Sequence, residues 1–174
     1  MKFSAESKIM TRYLRCFTFV FVLAGSAAAA SPPPAQEYTG RGTQVYRCET
    51  DAGTASWKLL GPDAHMYNNL GKAIARHFYG PRWQAVDGSE IKGTVLTANA
   101  SPAGPRNAPW LVLHTVSIGQ AGIFADVTTV TRTDTQGGGA PAQACTQSNQ
   151  GATAKIPYSA RYTFFSEVSP APAP

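Results

Sequence analysis

Ile156-Pro157-Tyr158-Ser159-Ala160-Arg161-Tyr162-Thr163-Phe164-Phe165 decides how this chain folds. Ile156, Tyr158, Ala160, Tyr162 and Phe164 fall on one side of an extended backbone, and Pro157, Ser159, Arg161, Thr163 and Phe165 on the other. Because side chains alternate between the faces of a strand, the stretch has one apolar face and one mostly wet face. That is the pattern of an antiparallel sheet packed on one side only.

Upstream, Pro109-Trp110-Leu111-Val112-Leu113 leaves almost no polar face, which predicts a central strand over 109–117 covered on both sides, with His114 in step with Trp110, Val112 and Val116. Further strands are expected at 44–50, 54–60, 73–79, 91–97 and 123–132. Asp87-Gly88 stands between two strand-like runs, a hairpin signal in which both turn positions call for positive φ, with Trp83 and Ile91 in the two arms. Seven or more short strands punctuated by Gly and Pro predict a single-domain all-β fold, an antiparallel β-sandwich or barrel, over 42–168. The only room for a helix is one or two turns near 68–75. Two long loops, 98–108 and 136–155, have the length at which loops are usually functional or mobile.

The ends read differently. Lys2, Lys8, Arg12 and Arg15 precede an apolar run from Cys16 to Ala24, and small residues with Ala28 and Ala30 follow, which makes 1–30 a secretory signal cut before Ser31. The apolar run is far shorter than the roughly 20 residues a spanning helix needs, so no membrane span is expected after cleavage. The destination is the periplasm or the extracellular space. Residues 31–41, with three consecutive prolines, predict an extended arm, and 169–174 a similar disordered tail. The full chain of 174 residues carries a formal charge of +5, but the mature part keeps 11 basic and 9 acidic side chains, a charge of +2. The basic residues are scattered singly, so the electrostatic footprint of a nucleic-acid binder is absent.

Cys48 and Cys145 remain after cleavage, and an even pair in an oxidising compartment most simply forms one disulfide. Closing so long a loop stabilises by roughly 4 to 5 kcal/mol in the chain-entropy account. The rival is two free thiols or a metal pair, for which no Cys or His stands nearby in ligand spacing. His65, His77 and His114 lie on different expected strands with no paired spacing, so neither a metal site nor a cofactor is expected. No phosphate loop, dinucleotide fingerprint or nucleophile elbow occurs.

The densest cluster of chemistry is His77-Phe78-Tyr79-Gly80-Pro81-Arg82-Trp83, followed by Asp87-Gly88-Ser89. The aromatics could stack on a sugar ring, with Asp87 and Arg82 hydrogen-bonding beside them. In structural terms, Asp87 could equally be a turn residue and Trp83 a core residue. Asp87 or His77 could also serve as the general base of a glycoside or ester hydrolase, although the spacing supplies no geometry for it.

Gly42-Thr43-Gln44-Val45-Tyr46-Arg47-Cys48, His77 to Trp83, Asp87-Gly88-Ser89, Pro109 to Leu113, Thr133-Asp134-Thr135-Gln136-Gly137-Gly138, Ala140-Pro141, Cys145 and Pro157 to Tyr162 occur in order. This series resembles the secreted bacterial and fungal family known as domain of unknown function 3455. The resemblance spans nearly the whole mature chain and implies no activity. A malate dehydrogenase label carried by some members does not fit a chain without a dinucleotide-binding glycine pattern. Ala108, where the resemblance leads one to expect isoleucine, and the threonine-rich run before Arg132 are departures. The functional expectation is a non-catalytic module that binds a small molecule or glycan through His77, Tyr79, Trp83, Asp87 and Arg132. The alternatives are the hydrolase and a purely structural domain.

Overall fold

The computed structural model describes residues 35–166. The expected signal at 1–30, residues 31–34 of the arm and the tail at 169–174 lie outside the described residues. Eight strands follow in chain order: β1 (Ala35–Asp51), β2 (Thr54–Tyr67), β3 (Ala73–Phe78), β4 (Arg82–Ala85), β5 (Glu90–Asn99), β6 (Trp110–Ser117), β7 (Val127–Gly137) and β8 (Thr153–Ser166). Each pairs antiparallel with the next, and β1 also pairs with β8, so the sheet closes into a barrel. Of the two architectures expected, the barrel is the one adopted. The only helical element among the described residues is one 3-10 turn, Gln147–Asn149.

Closure rests on residues expected to be an arm. Ala35 to Arg41 already belong to β1, facing Phe165 to Ser159 of β8, so the strand begins well before residue 42. Ala35 and its successors keep the backbone N–H that proline lacks, and can therefore join a ladder. Alternation along β8 is as read from the sequence: Tyr158, Ala160, Tyr162 and Phe164 are buried. They meet Met66, Trp83, Ile91, Leu113, Phe124 and Val130 in one core inside the barrel. Full burial of each large side chain contributes roughly 1.5–3 kcal/mol. Gly93 makes room for it, because a Cβ there would stand 3.1 Å from Trp83 and 3.0 Å from Leu113.

Four other expectations change. β6 is not covered on both sides: Leu113 and Thr115 point inward, while His114 and Val116 are exposed on the outside. An up-and-down barrel of one wall has a single interior, so an apolar outer row simply faces solvent. The short helix near 68–75 is replaced by a turn, in which Asn68 Oδ1 accepts the N–H of Leu70 (3.1 Å) and of Lys72 (2.9 Å). Asparagine side chains compete in this way with helical hydrogen bonding. The strand expected at 123–132 runs from Val127 to Gly137. Trp83 and Ile91 stand in the two arms of the β4–β5 hairpin as expected, but the turn is longer than the two-residue one: Ala85 N–H donates to the Ser89 carbonyl at 2.9 Å around Val86-Asp87-Gly88, Trp83 faces Ile91, and only Gly88, at φ +88°, takes positive φ.

In such a barrel successive connections alternate between the two ends. One end carries the β2–β3, β4–β5 and β6–β7 connections, and is filled by Phe124 stacked on Phe164 at 4.9 Å. The other end carries the β1–β2, β3–β4, β5–β6 and β7–β8 connections. There Cys48 is joined to Cys145 across a separation of 97 residues, and Tyr46 Oη donates to the Gly138 carbonyl at 2.8 Å. Both ties hold the β7–β8 loop against β1. Outside, Arg41, Lys58, Arg76, Lys92 and Arg161 are exposed, so charged side chains lie over the outer face of the barrel. No helix among the described residues is long and apolar enough to cross a membrane.

Replacing Cys48 and Cys145 together by serine should lower the unfolding free energy by about 2–5 kcal/mol. Denaturant titration of the oxidised protein and the variant checks this, and the far-ultraviolet circular dichroism of the folded variant should stay that of a β-barrel.

Candidate functional site

The barrel core does not fill its lumen. Three register shifts loosen the wall toward the end that carries the disulfide. Leu60 has no opposite residue where Val45 faces Gly61 and Tyr46 faces Leu59. Leu96 is likewise extra between Val95 and Thr97. On β7 the shift falls between Thr133 and Gln136, just beyond Arg132. Bulges bend strands and re-aim side chains. Here they leave a cavity of about 270 Å³, to which every one of the eight strands contributes at least one wall residue. Leu59, Pro62, Val95, Leu111 and Leu113 are among its apolar walls, and no acidic residue lines it.

Four of the five residues expected at a ligand site meet in this cavity: His77, Tyr79, Trp83 and Arg132. Trp83 is 1% exposed and lies opposite His77 across the β3–β4 ladder. The two rings stack at 4.3 Å with 3° between their planes, and Tyr162 meets both edge-on. Trp83 is therefore a core residue and a wall residue at once, and His77 already covers one of its faces. Tyr79, 71% exposed in the β3–β4 turn, stands at the rim.

His77 Nδ1 lies 2.9 Å from the Arg82 carbonyl oxygen, which can only accept, so the nitrogen carries the proton and donates it. Nε2 is then the ring's acceptor. Burial pushes the His77 pKa down to about 3, the hydrogen bond to Arg82 opposes this, and the Arg132 charge adds to it. The imidazole is thus neutral and a poor general base near neutral pH. Arg132, 5% exposed, donates from Nε (3.0 Å) and Nη2 (2.9 Å) to a single acceptor, the Pro109 carbonyl. Among the described residues no carboxylate pairs with it.

Asp87 lies elsewhere. It sits in the β4–β5 turn at the end filled by Phe124, where its Oδ1 accepts from the Ser89 hydroxyl (2.7 Å) and the Ser89 N–H (2.9 Å). Its Oδ2 accepts from the Ile123 N–H at 2.8 Å, and Ser89 Oγ accepts from the Phe124 N–H at 3.2 Å. These bonds, led by the Ser89 hydroxyl, hold the carboxyl below the usual carboxylate range. Asp87 is a clasp that seats Phe124 in the core, and it does not reach His77. Of the two general bases expected for a hydrolase, Asp87 is engaged in this turn and lies apart from the cavity that His77 lines. His65 and His114 are exposed and do not join His77, and no metal-holding cluster of His, Cys, Asp and Glu occurs among the described residues.

Gln44 is absent from the residues expected at the site, yet it is the lumen's most unusual member. It is 1% exposed, lines the cavity, and neither its Oε1 nor its Nε2 has a hydrogen-bond partner. Trp83 Nε1 is also unpartnered. Burying an amide without partners is costly, and native proteins rarely do it without reason. The signal was legible in principle: the alternation that puts Cys48 inside also turns Tyr46 and Gln44 inward. A larger groove of about 380 Å³ runs over the outside of β1 and β8, but its charged residues are already joined, Arg161 to Asp134 at 2.8 Å and to Glu37 at 3.5 Å.

Two outcomes follow from this geometry. Asp87→Ala should lower the melting temperature and shift the amide resonances of Ile123 and Phe124, while leaving those of Gln44 and Trp83 in place. Between pH 6.5 and about 3 the unfolded chain holds a proton on His77 that the folded chain does not. Stability from this group is therefore complete above pH 6.5 and declines as pH falls through that window, by at most about 1.4 kcal/mol per pH unit. His77→Phe, which keeps a stacked ring, should flatten the profile of unfolding free energy between pH 6.5 and 4.5.

No curated protein and no solved structure matches this chain. One family model does, over residues 29–166, with the description protein of unknown function (DUF3455). The match takes in every strand of the barrel and both cysteines of the disulfide, and the chain belongs to that family.

Proposed function

We propose that this protein is an exported, non-catalytic binding module that takes one small, largely apolar molecule into its barrel lumen. The observation that carries the reading is Gln44: a fully buried amide, unpartnered at both ends, set in the wall of a cavity that all eight strands build. An eight-stranded barrel is just wide enough for a side-chain core or one small ligand, and the three bulges tip this one toward the second. At about 270 Å³ the cavity is slightly below the ~300–1,000 Å³ usual for drug-sized ligands, which limits the occupant to a small molecule.

The same walls favour an apolar ligand over a glycan. A saccharide needs a hydrogen-bond partner for most of its hydroxyls, whereas this lumen offers a few polar groups among leucine, valine and proline side chains. The stacking face a sugar ring would use on Trp83 is shared with His77. Export is supported by the N-terminal signal pattern together with a disulfide, a bond that persists in oxidising compartments.

Titration with 1-hexanol, followed in ¹H–¹⁵N spectra, should shift the Gln44 side-chain amide and the Trp83 indole N–H. Leu111→Trp, which fills the lumen from the wall, should abolish those shifts in a protein that still melts cooperatively. Shifts confined to the outer groove, or none at millimolar hexanol, would remove the lumen reading.

A further inference from the structure

Resting on that lumen reading, we infer that the ligand is a small organic acid, its carboxylate held by Arg132 and Gln44 and its apolar body lying along Leu59, Val95, Leu111 and Leu113. The chemistry follows from what the lumen leaves unpaired. A guanidinium carries five N–H donors and cannot shed its charge. Arg132 uses donors from only two of its three nitrogens, both on one neutral carbonyl, and no described carboxylate offsets the charge. A buried charge without a counter-ion is strongly unfavourable, and in this lumen the counter-ion has to come from outside, because no acidic side chain lines it.

The neighbouring groups fit the same occupant. Gln44, whose buried amide has no partner, stands in the same wall and brings a further N–H donor when its side chain turns to a carboxylate oxygen. His77 is neutral and does not add a second cation, so a single negative charge neutralises the lumen. Beyond the His77 Nε2 acceptor and the two tyrosines, Tyr79 and Tyr162, the rest of the wall is apolar and holds no second cation, which disfavours a dicarboxylate or a phosphate ester: their second charge would be buried without a counter-ion. One charged head and a short apolar tail remain.

Calorimetry on the disulfide-bonded protein with hexanoate, 1-hexanol and sodium chloride tests this at fixed ionic strength. Hexanoate should bind at least tenfold tighter than 1-hexanol. Arg132→Met should erase that preference while keeping hexanol binding. Gln44→Leu, which is near its volume and removes an unpartnered amide, should fold with an equal or higher melting temperature and lose about fivefold in hexanoate affinity. It keeps the proposal testable if Arg132→Met does not fold. Equal binding of acid and alcohol by the parent protein would overturn the carboxylate assignment and leave the lumen reading standing. Binding of neither would overturn both. Chloride that saturates the site as readily as hexanoate would make the occupant an inorganic anion and overturn the organic acid.

Discussion

The pairing of β1 with both β2 and β8 is the constraint on which the rest of the molecule depends. Thr39 faces Tyr67 on one side and Arg161 on the other, and the same double pairing runs on to Arg47. A closed ladder leaves no edge strand with unpaired N–H and C=O groups, which is how a barrel avoids adding foreign strands. It also fixes, for every strand at once, which alternate residues face inward. From that single geometric fact come the buried row of Tyr158, Ala160, Tyr162 and Phe164, the exposed arginines and lysines, and the inward positions of Gln44, His77 and Arg132.

The two ends of the barrel solve opposite problems. At one, Asp87 and Ser89 clasp the β6–β7 connection so that Phe124 packs against Phe164, giving an apolar closure with its backbone donors satisfied. At the other, bulges in β2, β5 and β7 open the wall, and polar groups face the space they leave. Filling that space with leucine-sized side chains would remove the unpartnered amide and the unpaired charge and would make a more conventional core. The proposed ligand rests on these two departures, because proteins break packing and pairing rules chiefly at functional positions. The disulfide lies at this open end, where it holds the β7–β8 loop to β1.

Much of the fold was legible in the amino-acid order, and for local reasons. The alternation over 156–165 and the placing of Trp83 and Ile91 in two arms about Asp87-Gly88 depend only on the period of a strand and the chemistry of a turn. The errors arose where a local signal met a competitor. Triple proline suggested an arm to residue 41, but the ladder to β8 begins at Ala35. The unbroken apolar run at Trp110 suggested a doubly covered strand, but a one-walled barrel has a single inside. Of the candidate site, His77, Tyr79, Trp83 and Arg132 are legible in the sequence and share a cavity, whereas Asp87 is a turn clasp and Gln44 carries no local signal of its place in the wall. A lone glutamine in a strand gives no sign of whether a partner awaits it.

The order of residues alone determined that this chain builds strands, that one face of each is apolar, that two distant cysteines are available to join, and that it resembles one family. Those properties are set by side-chain chemistry within a few neighbours. Only the tertiary structure decided that the sheet closes, that its lumen is incompletely filled, and that Gln44, His77, Trp83 and Arg132 look into the same space. Residues from eight strands reach one cavity through the curvature and bulges of a closed wall. That curvature is a property of all the ladders together and is written in no single segment.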